Sequence, residues 1–405
     1  MSEWKEYKLG EIVMKVTSGG TPSTKNAKYY NGNIPWLNTK EINFNRIWRT
    51  EKYISEKGFK NSSAKWIKEN SVIVAMYGAT AAKVAINKIP LTTNQACCNL
   101  IIDETKANYE FVFYSIWNKY DELENIAVGA AQQNLSVGVI ADFPIQLPPL
   151  PEQTAIASIL SSLDDKIDLL HSQNATLEKM AETLFRQWFV EEAKEEWEEG
   201  TFEKWILETV GGDWGKESIE GEFTKAVCCL RGTDIADLNI GLPNKTPIRF
   251  IKEKKFQSIS PNEGDLIIEV SGGTENQSTG RICYIDNQIK ALFDYPLVFS
   301  NFCRMIRIKK PEYSFFVYCY IQYLYNQDEF FNLENGSSGI KNLDYKTLLF
   351  DLKYIMPDEN SVIKFHNQVK SLFQKVNQNK IQIRTLTSLR DMLLPKLMSG
   401  EVGVI

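Results

Sequence analysis

The run PPLPEQTAIASILSSLDDKIDLLHSQNATLEKMAETLFRQW, residues 148–188, decides the fold. Its positions Ile156, Leu160, Leu163, Ile167, Leu170, Asn174, Leu177, Ala181, Leu184 and Trp188 alternate spacings of four and three. That period of 3.5 keeps one stripe of side chains facing a partner helix, which is the seam of a coiled coil. The same pattern returns 209 residues later, at Phe365, Val369, Leu372, Val376, Asn379, Ile383, Leu386, Arg390, Leu393 and Leu397. Eight of those ten positions are apolar, more than chance delivers in a chain that is 43% hydrophobic. Pro148 recurs as Pro357 at the same offset. The chain therefore reads as two globular units, each followed by a helix, with the helices gripping each other.

The one amide in each seam indicates how the helices pair. Laid antiparallel with full overlap, Ile156 meets Leu397, Ile167 meets Leu386, Trp188 meets Phe365, and Asn174 meets Asn379. Laid parallel, each Asn faces Leu170 or Ile383 and loses its partner, at a cost of roughly 1–3 kcal/mol for a buried, unpaired amide. The antiparallel pairing is expected, with Asn174 and Asn379 as a register pair; the alternative is that both amides turn to solvent and the globular units set the register. Arg390, opposite Leu163, is the one poor match, tolerable if the guanidinium snorkels outward.

At 405 residues the chain has core enough for two domains plus helices. The charged start and the lack of an 18-residue apolar run lead us to expect neither a signal peptide nor a membrane span. The seven Cys include Cys97-Cys98 and Cys228-Cys229 but no C-x-x-C spacing, so buried thiols in a reducing cytoplasm are expected rather than disulfides or zinc. Net charge is −5. Residues 1–148 nevertheless carry 17 Lys and Arg against 14 acids, while residues 149–200 carry 4 against 12. The acid is concentrated on one helix and its exit (Glu191 to Glu199), so the globular units can still present basic faces. The exit itself reads as a solvated linker.

Each unit reads as mixed α/β. Ser71 to Met76 and Asp265 to Val270 are buried-strand runs, each followed by a glycine turn. A second strand pair is Asn94 to Ile101 and Asn301 to Ile308, offset by 207. Phe111 to Leu123 and Ser314 to Phe331 are aromatic-rich helix candidates. Glycine loops come next, at Gly129 to Leu135 and Gly336 to Leu343, and Pro148-Pro149 and Pro357 lead stiffly into the long helices.

These features resemble the specificity subunit of type I restriction-modification enzymes. The resemblance covers essentially the whole chain. It is carried by Leu147-Pro148-Pro149-Leu150-Pro151-Glu152-Gln153, by Leu163-Asp164-Asp165-Lys166-Ile167 and by the ending Leu389 to Val402. Ile34-Pro35-Trp36-Leu37-Asn38-Thr39, Arg231-Gly232-Thr233-Asp234 and Ser271-Gly272-Gly273-Thr274 with Gly280-Arg281 add to it. It implies two target-recognition domains joined by two long antiparallel coiled-coil helices in a pseudo-two-fold repeat. The divisions are 1–148 (first recognition domain), 149–199 (central helix and linker), 200–357 (second recognition domain) and 358–405 (distal helix and tail). The start of the second repeat, read at Trp205-Ile206-Leu207-Glu208, matches Tyr7-Lys8-Leu9-Gly10 only loosely.

The resemblance further implies that each domain reads one half of a split site on double-stranded DNA. The helix pair then acts as a ruler for the spacer; a seam of about 33 residues spans roughly 50 Å. It implies two modification subunits, which bind S-adenosylmethionine and methylate adenine, and restriction subunits that cleave. Pro149, Pro151 and Gln153 are the expected modification-subunit contacts.

No catalytic set is legible. His171 and His366 both lie on the helices, Pro148-Pro149 lacks the Asn/Asp and aromatic flanks of an amino-methyltransferase, and Ser271 stands where the nuclease pattern Glu269-x-Lys needs Lys. The chain is expected to be non-catalytic alone, without cofactor or metal. A disguised nuclease or methyltransferase and a repeat scaffold that binds only proteins are the rival readings.

Base edges are read by planar, bidentate side chains, and phosphates by cations and backbone amides. The candidates in the first unit are Thr21, Lys25, Asn38, Lys40, Arg46, Arg49, Lys60 and Tyr77, with Gln132, Gln133 and Asn134 in the glycine loop. In the second unit they are Arg231, Lys245, Arg249, Ser271, Thr274, Arg281, Lys341 and Asn342. The competing reading is that the glycine and amide clusters are ordinary turns capping their own backbone.

Overall fold

The computed structural model describes residues 4–129, 134–243, 245–336 and 339–404. The chain divides into two compact units, Met1–Asp164 with Ser388–Ile405, and Asp165–Thr387. It is a mixed α/β protein with two β-rich units and two long helices. Among the described residues no helix is long and apolar enough to cross a membrane.

In the first unit a five-stranded sheet runs in the order Val13–Ser18, Cys97–Ile102, Val72–Ala75, Val84–Asn87, Asn45–Ile47. Val72–Ala75 is buried at every residue, as its unbroken apolar run requires. The helix Tyr109–Asn118 packs on this sheet through Phe111, Val112 and Ile116, in a core that also takes in Ile156, Leu160, Leu394 and Leu397 of the two long helices. A smaller sheet, Lys52–Ile54, Tyr30–Leu37, Leu91–Thr93 and Trp66–Ile67, carries the more basic segment.

The second unit repeats this frame. Its sheet runs Ile206–Gly211, Cys303–Ile308, Leu266–Glu269, Ile282–Tyr284. Cys303 lies opposite Glu269 as Cys97 lies opposite Ala75, so the strands correspond at an offset of 206, not 207. The helix Ser314–Asn326 takes the place of Tyr109–Asn118, and Phe316-Val317-Tyr318-Cys319-Tyr320-Ile321 stand where Phe111-Val112-Phe113-Tyr114-Ser115-Ile116 stand. The first helix is interrupted at Lys119 and resumes as Tyr120–Gly129, and the second ends at Asn326, sooner than its aromatic run suggested.

The repeat begins earlier in the second unit than Trp205 suggested. Strand Lys5–Lys8 pairs with Pro144–Leu147, setting Lys5 opposite Leu147; Glu198–Gly200 pairs with Tyr354–Met356, setting Glu198 opposite Met356. Trp4 and Trp197 precede these strands. Each donates its indole N–H to an acid at the head of a long helix, Glu152 at 3.3 Å and Asp358 at 3.1 Å. The end of the acidic run is thus paired structure rather than free linker.

The central helix spans Leu150–Arg186 and continues through a wide π-type turn, Gln187–Glu191; the distal helix spans Glu359–Met398. Within the first unit Asp164 meets Arg390, and within the second Asn174 meets Asn379, which fixes an antiparallel pairing. Ile167, Ile383 and Leu386 share one small core, and the rings of Trp188 and Phe365 lie 6.1 Å apart. Arg390 does not snorkel outward. Its Nη1 meets Asp164 Oδ1 at 2.8 Å, Tyr114 donates to Asp164 Oδ2 at 2.5 Å, and the guanidinium stacks 4.4 Å over Trp117. The misfit seam position is therefore a largely buried charge that Asp164 and exposed Asp391 both partner. All seven Cys are buried free thiols.

Candidate nucleic-acid interface

In the first unit the candidates cluster on the smaller sheet and its loops. Glu41 organises one of these loops: its carboxylate accepts the backbone N–H of Asn38 at 2.9 Å and of Glu51 at 2.8 Å, and burial pushes its pKa up. Asn38 caps the turn Thr39–Glu41 by accepting from Lys40 N at 3.2 Å, so its amide is engaged locally, as the turn reading anticipates. Lys40, Arg49 and Lys25 are exposed. Arg49 and half-buried Arg46 line a hollow of about 670 Å³ with Glu41, Asn45, Trp48 and Tyr53. Trp48 is 55% exposed there, a residue that sequence reasoning passed over. Lys60 ends the short helix Glu56–Lys60, Tyr77 is exposed beside Gly78, and Thr21 contacts Gln95. Asn134 is exposed; Gln132 and Gln133 lie outside the described residues.

The second unit gathers four candidates around one hollow of about 700 Å³: Arg231, Ser271, Thr274 and Arg281, with Trp214, Glu269 and Phe302 between them. Arg281 is not a free reader. Its Nε and Nη2 grip Glu269 at 2.9 and 2.7 Å, and the carboxylate, 1% exposed, holds it firmly protonated. A Cβ at Gly232 or Gly272 would stand 2.5 or 2.3 Å from Glu269 Oε1, so both glycines are needed for the carboxylate to fit. Arg231 forks onto Asp234, at 2.7 Å from Nη2, but stays partly exposed.

Arg249 is also turned inward. It is buried against Trp214, 4.4 Å over the ring, and bonded to Trp214 O and Glu217. Lys341 pairs with Glu334 at 2.7 Å, Asn342 accepts from Ser271 at 2.5 Å, and Lys245 and Thr274 are exposed. Arg249 and Arg281 are thus both engaged within the unit, Arg281 with buried Glu269 and Arg249 with exposed Glu217 and Trp214 O. Phe302 is 48% exposed at the hollow's rim.

Gln153 is engaged inside the first unit. It is 1% exposed, accepts Asn108 N at 2.9 Å and donates to Pro148 O at 2.8 Å, which ties the head of the central helix to the start of helix Tyr109–Asn118. Pro149 and Pro151 remain exposed. Among the described residues no group of His, Cys, Asp or Glu could hold a metal ion.

A duplicated α/β frame with polar and cationic loops and two long packed helices defines the class of fold. Residues 1–179 match the family described as "Type I restriction modification DNA specificity domain". The chain is 28% identical to the specificity subunit of the type I restriction enzyme MjaIX of Methanocaldococcus jannaschii, over 100% of this chain and 97% of the relative. It is 22% identical to the HindI specificity subunit of Haemophilus influenzae, over 99% and 100%. The fold is that of the S subunit from M. genitalium, at 18% identity and a TM-score of 0.55 over 98% of this chain and 96% of that one. The chain belongs to the specificity subunits of type I restriction-modification systems. It is a DNA specificity subunit, non-catalytic by itself.

Proposed function

We propose that the two units read the two halves of a split, asymmetric DNA site, and that the paired helices set the unspecified spacer between them. The observation that carries this reading is the repeated frame. The same four-strand order and sheet-packed helix recur, while the loop that carries Lys40, Trp48 and Arg49 in one unit differs in sequence from the loop that carries Lys245 at the same place in the other, between an antiparallel strand pair. One scaffold with two loop sets suits two different half-sites. Exposed cations would hold phosphates, and Asn134, Asn342 and Arg231 would approach base edges. Pro149 and Pro151 would face the modification subunits, which bring S-adenosylmethionine and the adenine chemistry; a restriction subunit would act on the same assembly in the cytoplasm.

Co-expression with cognate modification subunits, followed by genome-wide mapping of adenine methylation, tests the reading. A split motif with a constant gap is expected. An assembled complex that methylates no motif would leave a protein-binding scaffold in its place.

A further inference from the structure

The internal repeat predicts a second copy of the Asp164–Arg390 lock, and that copy is missing. The helix offset of 209 equates Asp164 with Phe373 and Ala181 with Arg390; the alignment of the two sheet-packed helices equates Tyr114 with Cys319 and Trp117 with Gln322. All four second-unit residues line one cavity of about 340 Å³. In the first unit the corresponding space is filled by the Arg390 guanidinium, stacked on Trp117 and paired with Asp164.

The cavity is not a featureless packing gap. Phe373 and Tyr318 supply aromatic wall, their rings 5.7 Å apart, in place of Trp117. Glu178 and Glu182 stand along one side in place of the Asp164 carboxylate. Glu178 is partly desolvated, its pKa raised by burial and only partly offset by Lys380, and Glu182 is bonded to Lys179 at 3.0 Å, which also lines the space. Asn239, Gln322 and Asn326 add amide groups, with Asn326 Oδ1 accepting from Gln322 Nε2 at 3.1 Å. Aromatic faces, carboxylates and amide oxygens together are the surroundings that a planar cation with several donors requires.

We propose that this cavity receives an arginine side chain from an associated subunit, whose guanidinium takes in trans the place that Arg390 takes in cis. The proposal rests on the reading of the chain as one subunit of a larger complex. It makes the lock of the first unit intrinsic and that of the second conditional on assembly, so the two ends of the helix pair differ although their frames match.

Two measurements test it. Ligand-observed NMR of the full chain with butylguanidinium should give saturation transfer in the wild type, with affinity falling about tenfold or more in Ala181→Leu and Ala181→Arg, which fill the cavity. Thermal melting of both variants shows that they are folded, and Ala181→Leu decides the matter if Ala181→Arg is not. Butylguanidinium bound equally by wild type and Ala181→Leu would overturn the site. In the assembled complex, arginine-selective labelling with phenylglyoxal should find one partner arginine protected with the wild type and exposed with Ala181→Leu. Probe binding without such a protected arginine would overturn the partner assignment in favour of a free guanidine. Loss of motif-specific methylation in the wild-type complex would count against the functional reading instead, and leaves both comparisons intact.

Discussion

Asn379 donates its side-chain N–H to Asn174 Oδ1 at 2.8 Å, with both residues buried in the helix seam of the second unit. Asn379 Oδ1 has no partner of its own, so the pair satisfies only part of what it buries. Such a pair is worth keeping for register rather than strength. Replacing one member strands the other, and Asn379→Leu alone should cost about 1–3 kcal/mol. Asn174→Leu with Asn379→Leu should recover that loss and add stability while loosening register. A double-mutant cycle on thermal melts reads the coupling, and simple additivity would count against a register role.

Arg390 and Asp164 form the corresponding contact of the first unit, with side chains 12% and 9% exposed. Removing one charge from a buried pair leaves the other uncompensated. Arg390→Met should therefore destabilise the chain by about 3–5 kcal/mol. Adding Asp164→Leu together with Tyr114→Phe should return most of it, since the desolvated carboxylate is then gone and no buried hydroxyl is left without its acceptor. Denaturant unfolding of the two variants measures this, and an equal loss in both would show that packing on Trp117, not charge, is what matters.

Asp358 caps the distal helix. It accepts Ser361 N at 2.9 Å, the Ser361 hydroxyl at 2.7 Å and the Trp197 indole at 3.1 Å. The Ser361 hydroxyl, the Ser361 backbone and the Trp197 bond hold its carboxyl well below its ordinary value of 3.8, with Lys194 assisting. A depressed carboxyl stabilises the fold above the unfolded value and loses that effect as pH falls through the folded one. Asp358→Ala should thus cost about 1 kcal/mol near neutral pH. The gap should narrow as pH drops below 3.8. A gap that stays constant down to the acid transition would mean that only the shape of the cap counts.

How much of this was legible in advance depended on the range of the signal. The long helices were readable because their seam repeats every 3.5 residues over ten positions, and the central strands because Val72 and Leu266 open apolar runs buried on both faces. The start of the second repeat was not, since Glu198–Gly200 is a three-residue strand of charged composition without alternation. Its partner Met356 lies over 150 residues away. The internal partners of Arg249, Arg281 and Gln153 were not legible for one reason: a side chain's partner is set by strand register and helix approach. Glu269 and Arg281 become neighbours only because the strands Leu266–Glu269 and Ile282–Tyr284 pair antiparallel. Asp164 lies one residue off the seam, so heptad reasoning assigned Arg390 to Leu163 instead. Exposed Trp48 and Phe302 carry no sequence mark that separates them from core aromatics.

The inward arginines and the outward cations should behave differently when replaced. Arg49→Ala, at an exposed site, should leave stability within about 0.5 kcal/mol. In the assembled complex it should lower the salt slope of DNA binding by about one while leaving the methylated motif as it was. Arg281→Gln should instead strand buried Glu269 and cost about 3 kcal/mol or more in unfolding. Salt titration of DNA binding beside a denaturant melt separates the two. An Arg281→Gln chain of unaltered stability and changed motif would place Arg281 in the base-reading set.

The ruler reading makes the sharpest demand on the helices themselves. Residues 166–172 and 381–387 face each other between the Asn174–Asn379 pair and the Asp164–Arg390 pair. Deleting both heptads keeps each contact and the seam phase, because seven residues are two turns of a coiled coil. The helices shorten by about 10 Å, which is about three base pairs of duplex. The deletion also removes Arg384, which bonds Ala291 O and Asp294 at the surface, so a modest loss of stability is expected alongside. Methylation mapping should then find both half-sites unaltered and the spacer shorter by about three. An unchanged spacer would mean that the helices hold the units without measuring the gap, and a changed half-site would mean that the heptads support a recognition loop directly.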